Sequence, residues 1–555
     1  MAVRDRNMGS ATLLLAAALC VGVADSAPRP QLLQSPSHVD LLQGEDVFVT
    51  VETGALRGVV ATSLNGTLYN RFVGIPFATP PLGDLRFRAP QPAANWSGTR
   101  DALTYGSECP QEGVGSEDCL YVNVYVPLVN DSSPLAVMVN IYGGAYTVGS
   151  STNRAPDYFM DKGVLLVTFN YRVGSIGFLS LQNDDIPGNA GLKDQVFALQ
   201  WVQRNIAAFG GDPDKVTIFG ESAGGSSTSH LFFSPAARGL FHGVIMESGV
   251  ANGNWSVEQS PREKAYRLAA ALGFQTQGAN DSAVAAFLRA ADHADLTRDN
   301  SQALSDFEKR GRKGIAFSPV IEPQSDTAVV TESPGDILRD GRYNQVAVMT
   351  GVTSADGSVI VESSGILTDE AFAADMRENF TLLVGSQLPL PTVEEQTEAA
   401  VKVENFYFGE EGFSVNNTQA VYDMYSDMGF IQPAEELARI VANTSDLPVY
   451  LYYFDYNGYG ATEYGMSHAA ETQYLFLSFG PDMDPNSNDG KVIELLTTLW
   501  TNFAKFGEPT TGGSPVTWEK FTAETANYLD MKLEFVTRQD LLKERMDFWK
   551  QILPQ

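Results

Sequence analysis

The chain has 555 residues, 44% of them hydrophobic, 10% aromatic and 19% charged, which is the composition of a globular protein with room for one very large domain or several ordinary ones. With 67 acidic against 37 basic side chains its formal net charge is −30, a field that repels phosphate and argues against nucleic acid and anionic lipid as partners. Solubility accounts for such a charge, and steering of a cationic substrate is the sharper alternative.

The chain opens with MAVRDRNMGSATLLLAAALCVGVADSA (1–27), which reads as a secretory signal peptide. Arg4 and Arg6 precede an apolar core too short to span a bilayer comfortably, and small residues offer a cut near Ala24 to Ala27. A secreted, extracellular protein with no membrane anchor is expected. Cys20 leaves with the leader, so Cys109 and Cys119 remain as an even pair in an oxidising compartment. Their disulfide would close the loop CPQEGVGSEDC and contribute about 2–3 kcal/mol. N-x-[ST] acceptors for N-glycosylation stand at Asn65, Asn95, Asn130, Asn254, Asn280, Asn379, Asn416 and Asn443.

Apolar, β-branched runs then predict strands over 120–127, 135–143, 164–171, 215–219, 243–248, 345–351 and 448–454. Several are apolar throughout rather than alternating, as a sheet covered on both faces requires. The stretch DQVFALQWVQRNIAAF (194–209) has helical spacing and is stopped by Gly210, Gly211 and Pro213. Regions 255–340 and 365–445 are richer in helix formers and read as helical insertions capping the sheet. No Pro/Gly/Ser linker interrupts 28–555, so a single α/β domain with a mostly parallel sheet is expected.

The stretch KVTIFGESAGGS (215–226) places Ser222 between Gly220 and Gly224, after a strand and before a helix. That is the setting in which a sharp turn presents a nucleophilic serine, because the neighbouring backbone leaves no room for a Cβ at either flank. A serine nucleophile needs a base, and the chain has five histidines. His38 lies in a polar N-terminal stretch, His230 and His242 follow the serine too closely, and His293 reads as a solvated helix end. His468, on a Gly-containing loop late in the chain, is the candidate base, and Asp356, just past the strand at 345–351, is the candidate acid. The alternatives are a satisfied surface histidine and a turn aspartate. Oxyanion donors would be the N–H of Ala223 and others from the Gly-rich loop VNIYGGAYTVGS (139–150).

From about residue 50 onward the chain resembles the type-B carboxylesterase/lipase (cholinesterase-like) family of α/β hydrolases. The matching segments are FVGIPFATPPLGDLRFRAP, SEDCLYVNVYVP, VMVNIYGGAYTVGS, VTFNYRVGSIGFLS, GNAGLKDQVFALQWVQRNIAAFGGDPDKVTIFGESAGGSS, ESG, GMSHAAE and LWTNFAKFGEP. The resemblance implies an α/β-hydrolase fold with large helical insertions and a Ser222–Asp356–His468 triad, with Asp356 where many members carry Glu. It also implies an oxyanion hole from Gly144, Ala145 and Ala223, a carboxylate near the site at Glu221 held by hydrogen bonds, and a Cys109–Cys119 disulfide.

Departures narrow the expectation. The short loop between the cysteines has no Trp to stack on choline. Phe274 and Phe287 stand where the family carries a second disulfide, and are expected to pack together. Ala145 adds a methyl to the oxyanion loop. Glu221 stands where juvenile hormone esterases show Gln, which favours a general esterase.

The sequence therefore predicts a serine carboxylesterase cleaving a small-molecule ester through an acyl-enzyme, with no metal or cofactor. The alternatives are a hydrolase for a sesquiterpenoid methyl ester, a lipase, or a non-catalytic adhesion member of the fold.

Overall fold

A 13-stranded sheet runs through the computed structural model, which describes residues 44–553 apart from 130–132, 312–313, 479, 481–483 and 512–513. The expected leader 1–27, His38 and the sequon at Asn130 lie outside the described residues. The strands are β1 (Asp46–Val51), β2 (Gly54–Thr62), β3 (Leu68–Pro76), β4 (Thr99–Asp101), β5 (Tyr121–Pro127), β6 (Leu135–Asn140), β7 (Leu165–Phe169), β8 (Gly211–Glu221), β9 (Gly243–Glu247), β10 (Ala347–Thr353), β11 (Val449–Phe454), β12 (Asn527–Met531) and β13 (Phe535–Gln539). Their order is β1-β2-β3-β5-β7-β6-β8-β9-β10-β11-β12-β13, with β4 beside β2. From β7 to β12 neighbours run parallel, and antiparallel strands flank this stretch on both sides.

The continuous apolar runs have a direct cause. Side chains alternate between faces along a strand, and here both faces meet helices. Val137, Val139, Leu165, Val167, Ile218, Val244 and Met246 point into one core, together with Leu192, Leu199 and Val202 of helix Ala190–Asn205 and Leu231 and Phe232 of helix Ala223–Phe233. Their neighbours Ala136, Met138, Leu166, Phe219 and Ile245 point into a second core with Val492, Leu496, Trp500 and Phe503 of helix Asn488–Phe506. Each fully buried branched side chain contributes about 1.5–3 kcal/mol.

The expected strands of the parallel stretch are present with ends shifted by a few residues. The expected helix at 194–209 begins earlier, at Ala190, after Asn189 turns the chain with φ 55°, and passes into a 3-10 turn over Ile206–Phe209. Regions 255–340 and 365–445 are helical insertions between β9 and β10 and between β10 and β11, including Pro261–Ala271, Asp281–Ala290, Glu370–Gly385, Val393–Phe408 and Gln432–Thr444. Phe274 and Phe287 pack with ring centroids 4.9 Å apart, as expected where the family's second disulfide is missing. Cys109 and Cys119 are joined. No described helix is long and apolar enough to cross a membrane.

Candidate active site

Ser222 sits at the C-terminal end of β8, where the chain turns into helix Ala223–Phe233. Its φ of 58° and ψ of −123° lie outside the regions that L-residues favour, and conformations of that kind concentrate at functional sites. The turn is forced by β6. A Cβ at Gly220 would stand 2.2 Å from Ile141 O, and one at Gly224 would stand 2.0 Å from the same oxygen. The two glycines thus press the elbow onto the end of β6, and the Ser222 side chain stays partly exposed.

His468 and Asp356 follow β11 and β10. The loops that carry them are joined by backbone: Ala355 N donates to Met466 O at 2.8 Å and Met466 N donates to Ser354 Oγ at 2.8 Å. His468 N donates to Ser358 Oγ at 2.8 Å, which fixes the loop at the imidazole itself. The fully buried Asp356 places Oδ1 2.6 Å from His468 Nδ1, while its Oδ2 accepts from Thr353 N at 3.1 Å. No hydrogen bond joins His468 to Ser222 Oγ. Nε2 instead lies 3.1 Å from Glu221 Oε1. The resemblance implied a Glu221 held by hydrogen bonds; among the described residues none in hydrogen-bond geometry reaches Oε1.

Charge explains the arrangement. Burial pushes the Glu221 carboxyl up to about 7, against the pull of His468. Burial also disfavours a charged His468, but the Glu221 carboxylate and the Asp356 hydrogen bond outweigh it and raise the imidazole to about 9. The two titrations are linked: a charged Glu221 favours imidazolium, and a protonated Glu221 favours the neutral imidazole. Two further buried carboxyls stand behind them. Glu247, on β9, is pushed by burial up to about 8, although Trp500 Nε1 hydrogen-bonds its Oε1 at 2.5 Å. Glu471 is pushed well above the usual carboxylate range by burial and by Asp356, and accepts from Tyr452 OH at 3.0 Å. Sequence reasoning missed Glu247 and Glu471, since a glutamate one position from a strand end or three residues after a histidine carries no local sign of burial.

The Gly-rich loop after β6 wraps the elbow. Gly144 O accepts from Thr147 N at 2.9 Å and from Val148 N at 3.0 Å, closing a tight turn. Among the described residues the N–H groups of Gly144, Ala145 and Ala223 donate to no protein oxygen. Ala145 and Tyr146 adopt φ of 55° and 58°. Ala223 opens its helix, where free N–H groups and the dipole favour developing negative charge.

Aromatic rings border the site. Phe430 lies 4.9 Å from the His468 ring, Trp255 lies 5.8 Å from Phe430, and Tyr146 lies 6.4 Å from Trp255. Phe430 is placed there by a π-helical turn over Asp427–Ile431, whose Gly429 O accepts from Trp255 Nε1 at 2.9 Å. Sequence patterning did not reveal this turn.

The other histidines stand elsewhere. His230 is buried, 3.1 Å from Ser256 O, and burial lowers it to about 4. His242 is exposed, and His293 begins rather than ends a helix, His293–Thr297. Asn65, Asn95, Asn280, Asn416 and Asn443 are exposed. Asn254 and Asn379 are half-buried, with Nδ2 donating to Gln387 O at 3.2 Å and to Asp375 Oδ1 at 2.8 Å respectively.

Comparison with known proteins agrees with this geometry. Residues 45–549 match the model of the carboxylesterase family. The chain is 34% identical to a carboxylic ester hydrolase of Bombus ignitus, over 85% of this chain and 87% of that protein. It is 33% identical to a juvenile hormone esterase of Tribolium castaneum, over 90% and 93%. It is 32% identical to a cholinesterase of Mus musculus, over 92% and 87%. A serine strained at the end of β8, a carboxylate–histidine pair on the neighbouring loops and this match along almost the whole described chain have one reading: the protein belongs to the carboxylesterase family, with its α/β-hydrolase fold.

Proposed function

We propose that the protein is a secreted hydrolase of small carboxylic esters that works through an acyl-enzyme on Ser222. The observation that carries this reading is the 2.6 Å contact between Asp356 Oδ1 and His468 Nδ1, on loops next to the elbow that presents Ser222. Asp356 fixes the imidazole tautomer with Nδ1 protonated, leaving Nε2 as the base. As an ester enters, Nε2 turns from Glu221 to Ser222 Oγ and takes its proton while Oγ attacks the carbonyl carbon. The N–H groups of Gly144, Ala145 and Ala223 receive the oxyanion. The intermediate collapses, His468 returns the proton to the departing alcohol, and water repeats the sequence on the acyl-enzyme.

The aromatic border of Phe430, Trp255 and Tyr146 suits an apolar substituent beside the ester carbonyl. Similarity to the Tribolium juvenile hormone esterase supports a second reading, a sesquiterpenoid methyl ester, which fits the same border. Glu221 in place of Gln favours the general esterase.

The test is hydrolysis of short-acyl, long-acyl, choline and farnesoate esters by the secreted protein and by its Ser222→Ala variant. The variant should lose at least ~10⁴-fold in kcat. Turnover that survives the substitution would sink the mechanism.

A further inference from the structure

Gln111 lies in the loop closed by Cys109 and Cys119, and its side chain is buried. Both ends of its carboxamide engage one residue of the oxyanion loop. Nε2 donates to Gly149 O at 2.9 Å, and Oε1 accepts from Gly149 N at 2.7 Å. The side chain thus imitates one rung of an antiparallel ladder, and only this orientation of the amide satisfies both bonds. Nε2 also donates to Cys109 O at 3.1 Å, and Gln111 N donates to Val114 O at 3.0 Å, so the amide is anchored in its own loop.

Gly149 is pressed against the entrance to the oxyanion turn. With φ at 129°, a Cβ there would stand 2.4 Å from Tyr142 Cδ2 and 2.6 Å from Gly143 O. The other end of the turn is held independently, because Tyr171 OH donates to Tyr142 O at 2.7 Å. The segment 142–149 is therefore gripped at both ends. Its N–H groups at Gly144 and Ala145 stay free between the two grips.

We propose that Gln111 is a positioning residue for the oxyanion hole, holding Gly149 against Tyr142 and Gly143 and so aiming the N–H groups of Gly144 and Ala145. The inference rests on the proposed role of those N–H groups in ester hydrolysis. Gln111 contacts no reacting atom; it acts through the backbone that it holds. Donors misplaced by about 1 Å cost on the order of 100-fold in rate, whereas ground-state binding of the ester changes little.

The test uses the full secreted chain with Gln111→Ala, with Gln111→Met, which fills similar volume without either hydrogen bond, and with Val114→Ala at the exposed tip of the same loop as control. The readouts are kcat and KM for p-nitrophenyl butyrate, the inhibition constant of butaneboronic acid as a tetrahedral analogue, and the thermal midpoint. For both Gln111 variants kcat should fall about 10- to 100-fold with KM within about 2-fold, and boronate affinity should weaken in parallel. Val114→Ala should match the wild type. A folded Gln111→Ala or Gln111→Met protein with wild-type kcat and boronate affinity would overturn the inference, as would a change confined to KM or to the thermal midpoint. If wild type and Ser222→Ala hydrolyse the ester equally, the underlying reading falls and this inference falls with it.

Discussion

Ser222 shows how far a single position can be read from its neighbours. A serine forced to φ 58° needs backbone on both sides that tolerates close approach, and Gly220 and Gly224 supply it against Ile141 O. Gly224→Ala places a methyl 2.0 Å from that carbonyl, a contact with backbone that no rotamer relieves. Urea unfolding should show a loss of ~3 kcal/mol or more, with hydrolysis lost as well. On the proposed mechanism Glu221 sets the pH response. Its charge is the main influence raising His468, so Glu221→Gln should lower the pKa of the imidazole and keep the base form available at lower pH. The acid limb of the kcat/KM profile should move down by on the order of one pH unit, and a limb that stays in place would show that Glu221 does not set the base. The elbow was legible because its requirement is steric and local. The link from Asp356 to His468 spans 112 residues, and elimination among the histidines together with the family resemblance pointed to it. Gln111 gave no sign at all, since a glutamine two residues after a cysteine looks like any loop residue until Gly149 arrives beside it.

Burial on both faces made the central strands legible. β6, β7 and β9 are almost wholly buried and read as unbroken apolar runs. β1, whose burial alternates along DVFVTV, the half-buried β2, the exposed β4 and β13, FVTRQ, were not among the strands expected, because strands that meet water on one face carry weaker patterns; β3 and β12 were not expected either, despite their buried stretches. The π-helical turn over Asp427–Ile431 is another tertiary product. Buried Asp427 is held there by Arg545 Nε at 2.6 Å and by Tyr407 OH at 2.5 Å, partners far along the chain. The pair Phe274–Phe287 ties the loop after helix Pro261–Ala271 to helix Asp281–Ala290. Both rings are only partly buried, so Phe287→Ala should cost about 1–3 kcal/mol in chemical denaturation rather than the larger loss of a fully enclosed ring.

For the molecule as a whole, five of the eight glycosylation sequons carry an exposed asparagine. Glycopeptide mass spectrometry of the protein made in a glycosylating host should find glycans on exposed Asn65, Asn95, Asn280, Asn416 and Asn443. It should find none on Asn254, whose sequon partner Ser256 is fully buried with Oγ donating to Val250 O at 2.7 Å. A glycan on Asn254 would mean that this segment folds differently from the arrangement described. Ser222, Asp356 and His468 follow β8, β10 and β11, strands of one ladder, while the helical segments at 255–340 and 365–445 loop out between β9, β10 and β11. On the proposed mechanism the reacting groups are therefore anchored in the frame, and Trp255 and Phe430, which border them, hang from it on these segments as on panels. Such a protein can acquire a taste for a different ester by exchanging panels, without rebuilding the machinery that breaks the bond.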